Sequence, residues 1–466
     1  MTLRTLSPLL LVALAGGCTA GTEYHRPNMT MPAAFRAAPA APGVATDGSW
    51  WTRFNDPILN DLVARGLANN LDIEIVLARV DRARAAAGAA RAAQLPSGTI
   101  DGSAVRTQQS TEAGLGQLSN YVPDLGRVQN SFSITSGASW ELDLAGGLKR
   151  GRQSAVAELE ATVADSQAAR VTVAAEIADA YLLLRTLQER RTLAVSQADA
   201  ADKLTSLVQK RFDATIASRR ELEQAKASAI AVRAEIPALE AGIEGQLNRL
   251  AVLTGEMPES ERRGLDRPAP LPIAEVGPVG SPTELLRRRP DLIAAERRLA
   301  ASHARIGAAL AEYYPRFSLS GLFGFQSTSL GSLFTGPANV IQGGLGLRWR
   351  IFDFKRIDAE VVSARGDERE ALATFRAAVL RAAEDVERSI VDGQAAQRRA
   401  TLHAEEAVAA KRARDLAAQA YGAGHVSLVE VVDADRRSLQ AADSLALARS
   451  DEVRAVVAAY RAIGGA

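Results

Sequence analysis

Two stretches of this chain are copies of one another, and that duplication restricts the available architectures more than any other feature. Phe212-Asp-Ala-Thr-Ile-Ala-Ser-Arg-Arg-Glu221-Leu-Glu-Gln-Ala225 recurs 209 residues later within Tyr421-Gly-Ala-Gly-His-Val-Ser-Leu-Val-Glu-Val-Val-Asp433-Ala-Asp-Arg436, so Phe212 pairs with Tyr421, Glu221 with Glu430 and Ala225 with Ala434. Trp140 and Trp349 stand at the same spacing. A repeat of this size means two copies of one structural unit. The glycines of the second copy, Gly422 and Gly424, lie between two long helical patterns, as expected where one helix stops and an antiparallel partner starts.

Upstream the copies align at a different offset, 219, which pairs Asp72 with Asp291, Pro96 with Pro315 and Ile100 with Leu319. A longer loop in the first repeat, between Pro96 and Trp140, absorbs the ten-residue change. Each unit starts with a helix. In the first, Asp56-Pro57 reads as an N-cap followed by proline at the first helical position, and Leu59, Leu62, Val63, Leu67, Leu71, Ile75, Ala78 and Val80 then recur near helical spacing.

After Pro96 and Pro315 the period changes from 3.6 to two. Phe317, Leu319, Phe323 and Phe325 share one face; Ile341, Leu345, Leu347, Trp349 and Ile351 oppose Gln342, Arg348 and Arg350; Phe132, Ile134, Ala138, Trp140 and Leu142 oppose Ser131, Ser133, Ser139 and Glu141. The partner near 99–107 alternates more weakly. Each unit therefore carries one β-hairpin. Such alternation fits a half-buried sheet over a soluble core, or a transmembrane strand with apolar outer and polar inner faces, in which Glu141, Arg348 and Arg350 line the inside. Each strand has about the 9–11 residues that a tilted spanning strand needs. Four strands cannot close a barrel and an open edge cannot lie in lipid, so the second reading requires several chains, three of which would supply twelve strands.

From about Gly147 to Arg211 and from about Lys355 to Ala420 no proline interrupts, roughly 100 Å of helix at ~1.5 Å per residue. In the second run Ile357, Val361, Ala364, Leu372, Phe375, Val379, Ala382, Val386 and Ile390 advance by threes and fours, a coiled-coil-like seam. A cytoplasmic coiled coil is the alternative, opposed by the first residues of the chain. Arg4, the apolar Leu9–Leu14 and Ala15-Gly-Gly-Cys18 form a targeting segment ending in the only cysteine. A plain secretory peptide fits too; a membrane-spanning helix does not, because the run is well short of ~20 residues.

Charge and composition remove other classes. With 55 basic and 54 acidic residues the chain lacks the basic footprint of a nucleic-acid binder. His25, His303, His403 and His425 are scattered without ligand spacing, no nucleophile has a paired histidine, and Gly343-Gly-Leu-Gly346 lacks the full phosphate-binding pattern. No metal, no cofactor and no enzymatic activity are expected.

The ordered set Cys18 with Tyr24-His-Arg-Pro27, Trp51 through Asp56-Pro57, Asn70-Leu-Asp72, Trp140-Glu-Leu-Asp-Leu144, Arg288-Arg-Pro-Asp291 with Ile306-Gly-Ala, Ile351-Phe-Asp-Phe354 and the tip from Tyr421 to Arg436 resembles the TolC-like outer-membrane efflux proteins, in particular the lipoprotein branch serving resistance-nodulation-division pumps. The resemblance covers nearly the whole chain. It implies a mixed α and β fold: a homotrimer whose twelve-stranded barrel in outer-membrane lipid continues into a long periplasmic α-helical barrel with a mixed equatorial collar. The chain then divides into a signal peptide at 1–17, a first repeat at 18–254 (hairpin about 97–146, tip near 212–220), a connector at 255–283 of unassigned fold, and a second repeat at 284–466 (hairpin about 315–354, tip near 421–428).

The implied partners are a periplasmic adaptor and an inner-membrane transporter, and the implied cargo is small molecules. The resemblance places lipidation on Cys18, a gate on Val429, Glu430, Asp433 and Arg436, and tip contacts on Phe212, Tyr421 and Gly424. A polypeptide secretion channel and a periplasmic adaptor are the competing functions.

Overall fold

The computed structural model describes residues 19–465 apart from 30–31, 33, 37–47, 113–116, 118–126, 259–261, 263 and 276–280, and leaves the side chains of 284–286 undescribed. Cys18 lies outside the described residues. After a 3-10 turn at Trp50–Phe54 come α1 (Pro57–Asn69), α2 (Leu71–Ala92), β1 (Ser97–Gln108), β2 (Val128–Leu142), α3 (Gly147–Asp213) and α4 (Arg219–Leu253). Then follow α5 (Pro282–Arg288), α6 (Pro290–Ala311), β3 (Arg316–Ser327), β4 (Asn339–Arg348), α7 (Phe354–Gly422) and α8 (Leu428–Ala462). The offsets that relate residues also relate elements. Adding 219 carries both ends of α2 onto α6 and of β1 onto β3, and adding 209 carries α4 onto α8.

The chain forms two compact units. Among the described residues, the first comprises those from Thr19 to Pro27, Asp81–Ala161 and Ala295–Thr374; the second comprises those of Asn28–Val80, Thr162–Ala294 and Phe375–Ala466. The first holds an antiparallel sheet in the order β1-β2-β3-β4, so the two repeats are joined through β2 and β3 while β1 and β4 remain edges. Each hairpin is pinned to the helix before it by a copied indole contact. Trp140 Nε1 donates to the Gln94 carbonyl at 2.9 Å, and Trp349 Nε1 donates to the Tyr313 carbonyl at 3.0 Å.

The first unit also holds the strap at 19–24. Arg150, nearly fully buried, donates through Nε to the Ala20 carbonyl (3.0 Å) and through Nη2 to that of Gly21 (2.9 Å). The Tyr24 hydroxyl donates to Glu296 at 2.7 Å; burial first, and this bond second, raise its pKa.

In the second unit Trp50, Leu59, Leu62, Ile177, Leu182, Leu250 and Tyr460 belong to one apolar core, with Trp50 stacked on Tyr460 at 5.4 Å. The helical spacing from Leu59 to Val80 predicts one helix, whereas two form, because Asn70 breaks the run. Its Oδ1 accepts from the Asp72 and Ile73 amides, capping α2, and its Nδ2 donates to the Leu253 carbonyl at the end of α4. The same position in the second repeat is Arg289. Its Nη1 donates to the Ala462 carbonyl at the end of α8 (2.7 Å), while Nη2 pairs with Asp291 (2.8 Å) and Asp385 (3.3 Å).

These anchors press close. A Cβ on Gly255 would meet the Asn69 carbonyl oxygen at 2.4 Å, and one on Gly464 would meet Arg289 Cα at 3.1 Å. The part of the connector that is described joins the same core through Leu265, whose carbonyl accepts from Gln188, while the next carbonyl but one, of Arg267, accepts from buried Arg185.

Candidate functional site

At the helical tips α3 turns into α4 and α7 into α8, and the two turns pack on each other. Val208, Leu222 and Ala225 from the first repeat and Tyr421, Leu428 and Val431 from the second form one apolar cluster, with Phe212 partly buried against it. Tyr421 is 5% exposed. The guanidinium of Arg211 lies 4.7 Å from its ring centroid and donates to its carbonyl at 3.4 Å, so a cation from one repeat covers the aromatic ring of the other.

Each turn has one residue in the left-handed region: Gly424 at φ +82° and, at the copied position, Thr215 at φ +59°. Each return helix opens on a serine. Ser218 N–H and Oγ donate to Glu221 at 2.7 and 2.9 Å, and the Glu221 amide donates back to Ser218 Oγ. These bonds to Ser218 hold the Glu221 carboxyl below the usual range. In the second tip the corresponding bonds from Ser427 to Glu430 stretch to 3.4 and 3.3 Å.

Beyond the cap, α8 separates two kinds of residue. Leu428 and Val431 are buried in the cluster, whereas Val429, Asp433 and Arg436, at helical spacing along one stripe, are partly or fully exposed, with Glu430 exposed beside them. Asp433 accepts from Arg436 at 3.0 Å and pairs with Arg437 at 2.9 Å. Arg437 carries no repeat signal in the sequence. A further pair across the hairpin, Arg414 Nε to Asp435 at 2.7 Å, joins α7 to α8, and Asp435 raises the Arg414 pKa. Its partners lie 21 residues apart and no short-range spacing announces it.

The strand register sorts the sheet into two faces. Ile134, Trp140, Leu319, Phe323, Ile341 and Leu345 lie on one face, all substantially exposed. The other carries Ser133, Glu141, Ser318, Ser320, Gln342 and Arg348. Arg316, opposite Arg348 and 3.8 Å from Glu141, belongs to the same polar face. The alternation through Arg350 predicts a longer last strand, but β4 ends at Arg348. Arg350 lies beyond it, where Glu360 (3.0 Å) and Glu312 (3.3 Å) hold its guanidinium, and Glu360 raises its pKa. These carboxylates draw the chain out of the ladder. Among the described residues no helix is long and apolar enough to cross a membrane.

A family model described as outer membrane efflux protein matches residues 62–256 and 281–465. The pyoverdine export outer membrane protein OpmQ of Pseudomonas putida is 32% identical over 467 residues, covering 99% of this chain and 96% of the relative. Nodulation protein T of Rhizobium leguminosarum bv. trifolii is 30% identical, with coverage of 95% and 92%. The solved structure of the outer-membrane channel OprN is similar with a TM-score of 0.87 at 33% identity, over 96% of this chain and 99% of its own.

Proposed function

The chain belongs to the outer membrane efflux protein family, and from that premise we propose that it works as a trimeric exit duct closed at its helical tips. An outer-membrane efflux channel carries its cargo past the lipid barrier; the finer assignments below are the ones this chain's residues favour. Three four-stranded sheets would close a twelve-stranded barrel, which supplies partners for the edges β1 and β4, and open edges are not tolerated in lipid. The apolar face would meet lipid; Glu141, Arg316 and Arg348 would face the lumen. Cys18 would carry a lipid anchor. The tips would dock on a periplasmic adaptor that connects them to an inner-membrane transporter of the resistance-nodulation-division type, with small molecules as cargo.

The observation that carries the gate is the exposed stripe of α8. The stripe begins with apolar Val429 and continues with Asp433 held between Arg436 and Arg437, while the neighbouring face is fixed in the tip cluster. Three such stripes around an axis place an apolar constriction beside a ring of Glu430 and Asp433 carboxylates. Like charges at close range repel, so the arginines keep the closed ring tolerable. Breaking those pairs while the helices shift opens the ring. Replacing Asp433 and Arg436 together by alanine is expected to raise closed-state conductance in planar bilayers; an unchanged closed state rejects the gate assignment.

A further inference from the structure

Where each hairpin runs into its long helix, the first unit carries an exposed band of aromatic and basic side chains that neither the gate nor the lumen uses. Trp140 and Trp349 are fixed there through their indole hydrogen bonds, and Phe352 is 95% exposed. Directly beyond stand Lys149 and Arg152 in α3, and Lys355 and Arg356 in α7. Neither helix has an acidic residue in its first turn. Cations in the first turn oppose the helix dipole, a cost that at α3 is offset by the Asp143 carboxylate, which accepts from the Leu148 and Lys149 amides at 3.0 and 2.7 Å. The offset of 209 pairs Lys149 with Asp358 and Lys355 with Gly146, so the lysines are not one copied position; each repeat acquired its own.

Intramolecular bonds use little of this charge. Arg152 donates to Gln94 at 3.3 Å and Arg356 sits 3.6 Å from Asp353. Lys149 and Lys355 are exposed, and although the Lys149 amide donates to Asp143, neither ammonium group pairs with a carboxylate among the described residues. Gln94 links the two kinds of group, its carbonyl accepting from Trp140 and its side-chain oxygen from Arg152, and aromatic rings followed by lysine and arginine form the sequence of groups that matches a bilayer from acyl chain to phosphate.

We propose that Lys149, Arg152, Lys355 and Arg356 bind the phosphates of anionic phospholipids in the leaflet facing the periplasm, with Trp140, Trp349 and Phe352 seated at the acyl boundary above them. This rests on the lipid-facing reading of the strands. The site favours phosphatidylglycerol over phosphatidylcholine, because it recognises net negative charge rather than headgroup size.

The test uses the full-length protein in vesicles of mixed phosphatidylglycerol and phosphatidylcholine, with co-purifying lipid quantified by mass spectrometry. The wild type is expected to enrich phosphatidylglycerol, and K149Q/R152Q/K355Q/R356Q to lose that enrichment, by about fivefold for each cation removed. Equal enrichment in wild type and variant overturns the proposal, as does a wild type without preference. Should the variant insert poorly, the salt dependence of enrichment in the wild type decides, since a phosphate site must weaken as salt rises. Quenching of tryptophan fluorescence by acyl-brominated lipid separates the two readings. Quenching without phosphatidylglycerol enrichment overturns the headgroup site alone, whereas absence of quenching overturns the membrane placement of the strands as well.

Discussion

The two tips descend from one sequence but solve the same turn differently. The first keeps a tight serine–glutamate cap and tolerates a β-branched threonine in the left-handed region, a conformation that costs an L-residue roughly 1–2 kcal/mol. The second stretches its cap, uses glycine where the backbone is left-handed, and places its tyrosine in the shared cluster. Strain is therefore stored in the first tip, where the cap is strong enough to hold it, and freedom is concentrated in the second, beside the charged stripe. A duplicated element that must be fixed in one copy and movable in the other is expected to diverge in this way.

The two tips are expected to differ most at the aromatic pair. Tyr421→Ala removes a buried ring and the seat of the Arg211 cation, and is expected to cost about 3 kcal/mol locally. Phe212→Ala, at the half-buried copy, should cost about half as much; hydrogen exchange at the two turns reads both, and equal losses would erase the asymmetry. The copied anchors form the next test. Arg289→Ala leaves the Ala462 carbonyl and two carboxylates without their donor and should cost about 2 kcal/mol, against about 1 kcal/mol for Asn70→Ala. Thermal unfolding of the detergent-solubilised protein measures the difference.

Exchanging the left-handed residues is expected to have smaller effects. Gly424→Thr is expected to destabilise the second tip by about 1 kcal/mol, whereas Thr215→Gly should change the first by less, since relief of strain is offset by a freer unfolded chain. The smallest effect is electrostatic. The folded Glu221 carboxyl titrates below its unfolded value of about 4.3, so the cap's contribution is complete above that pH and is lost as the pH falls through the folded value. Because this carboxylate is solvent-exposed, the change is no more than about 0.5 kcal/mol. Protection at the first tip, corrected for the slower intrinsic exchange in acid, should fall as the pH drops below about 4.3.

The legible part of the fold was the part that repeats. Offsets of 219 and 209 read from Asp72, Pro96 and Trp140 reappear as the offsets between helices and strands, because a copied hydrophobic pattern forces a copied element. The alternation of β3 and β4 was readable because Phe323 and Ile341 face one another across the ladder. What escaped was decided by single polar side chains acting at a distance. Helical spacing continues through Asn70, yet its two-sided amide finds Leu253 and the α2 amides and makes a break. Period two continues through Arg350, yet Glu312 and Glu360 take it out of the strand. At the site, Asp433 and Arg436 share a helical turn and could be paired by inspection. Arg211 over Tyr421 and Arg414 with Asp435 needed folded hairpins to meet.

Three copied pairs also agree in length: α2 and α6 have 22 residues each, β1 and β3 have 12, and α4 and α8 have 35, whereas β2 and β4 have 15 and 10 and α3 and α7 have 67 and 69. An insertion in one copy displaces its tip or its strand end against a partner that has not moved. Insertions and deletions within these three pairs are therefore expected to survive only when made in both halves, leaving the loops and the pairs of unequal length as the places where the chain can drift.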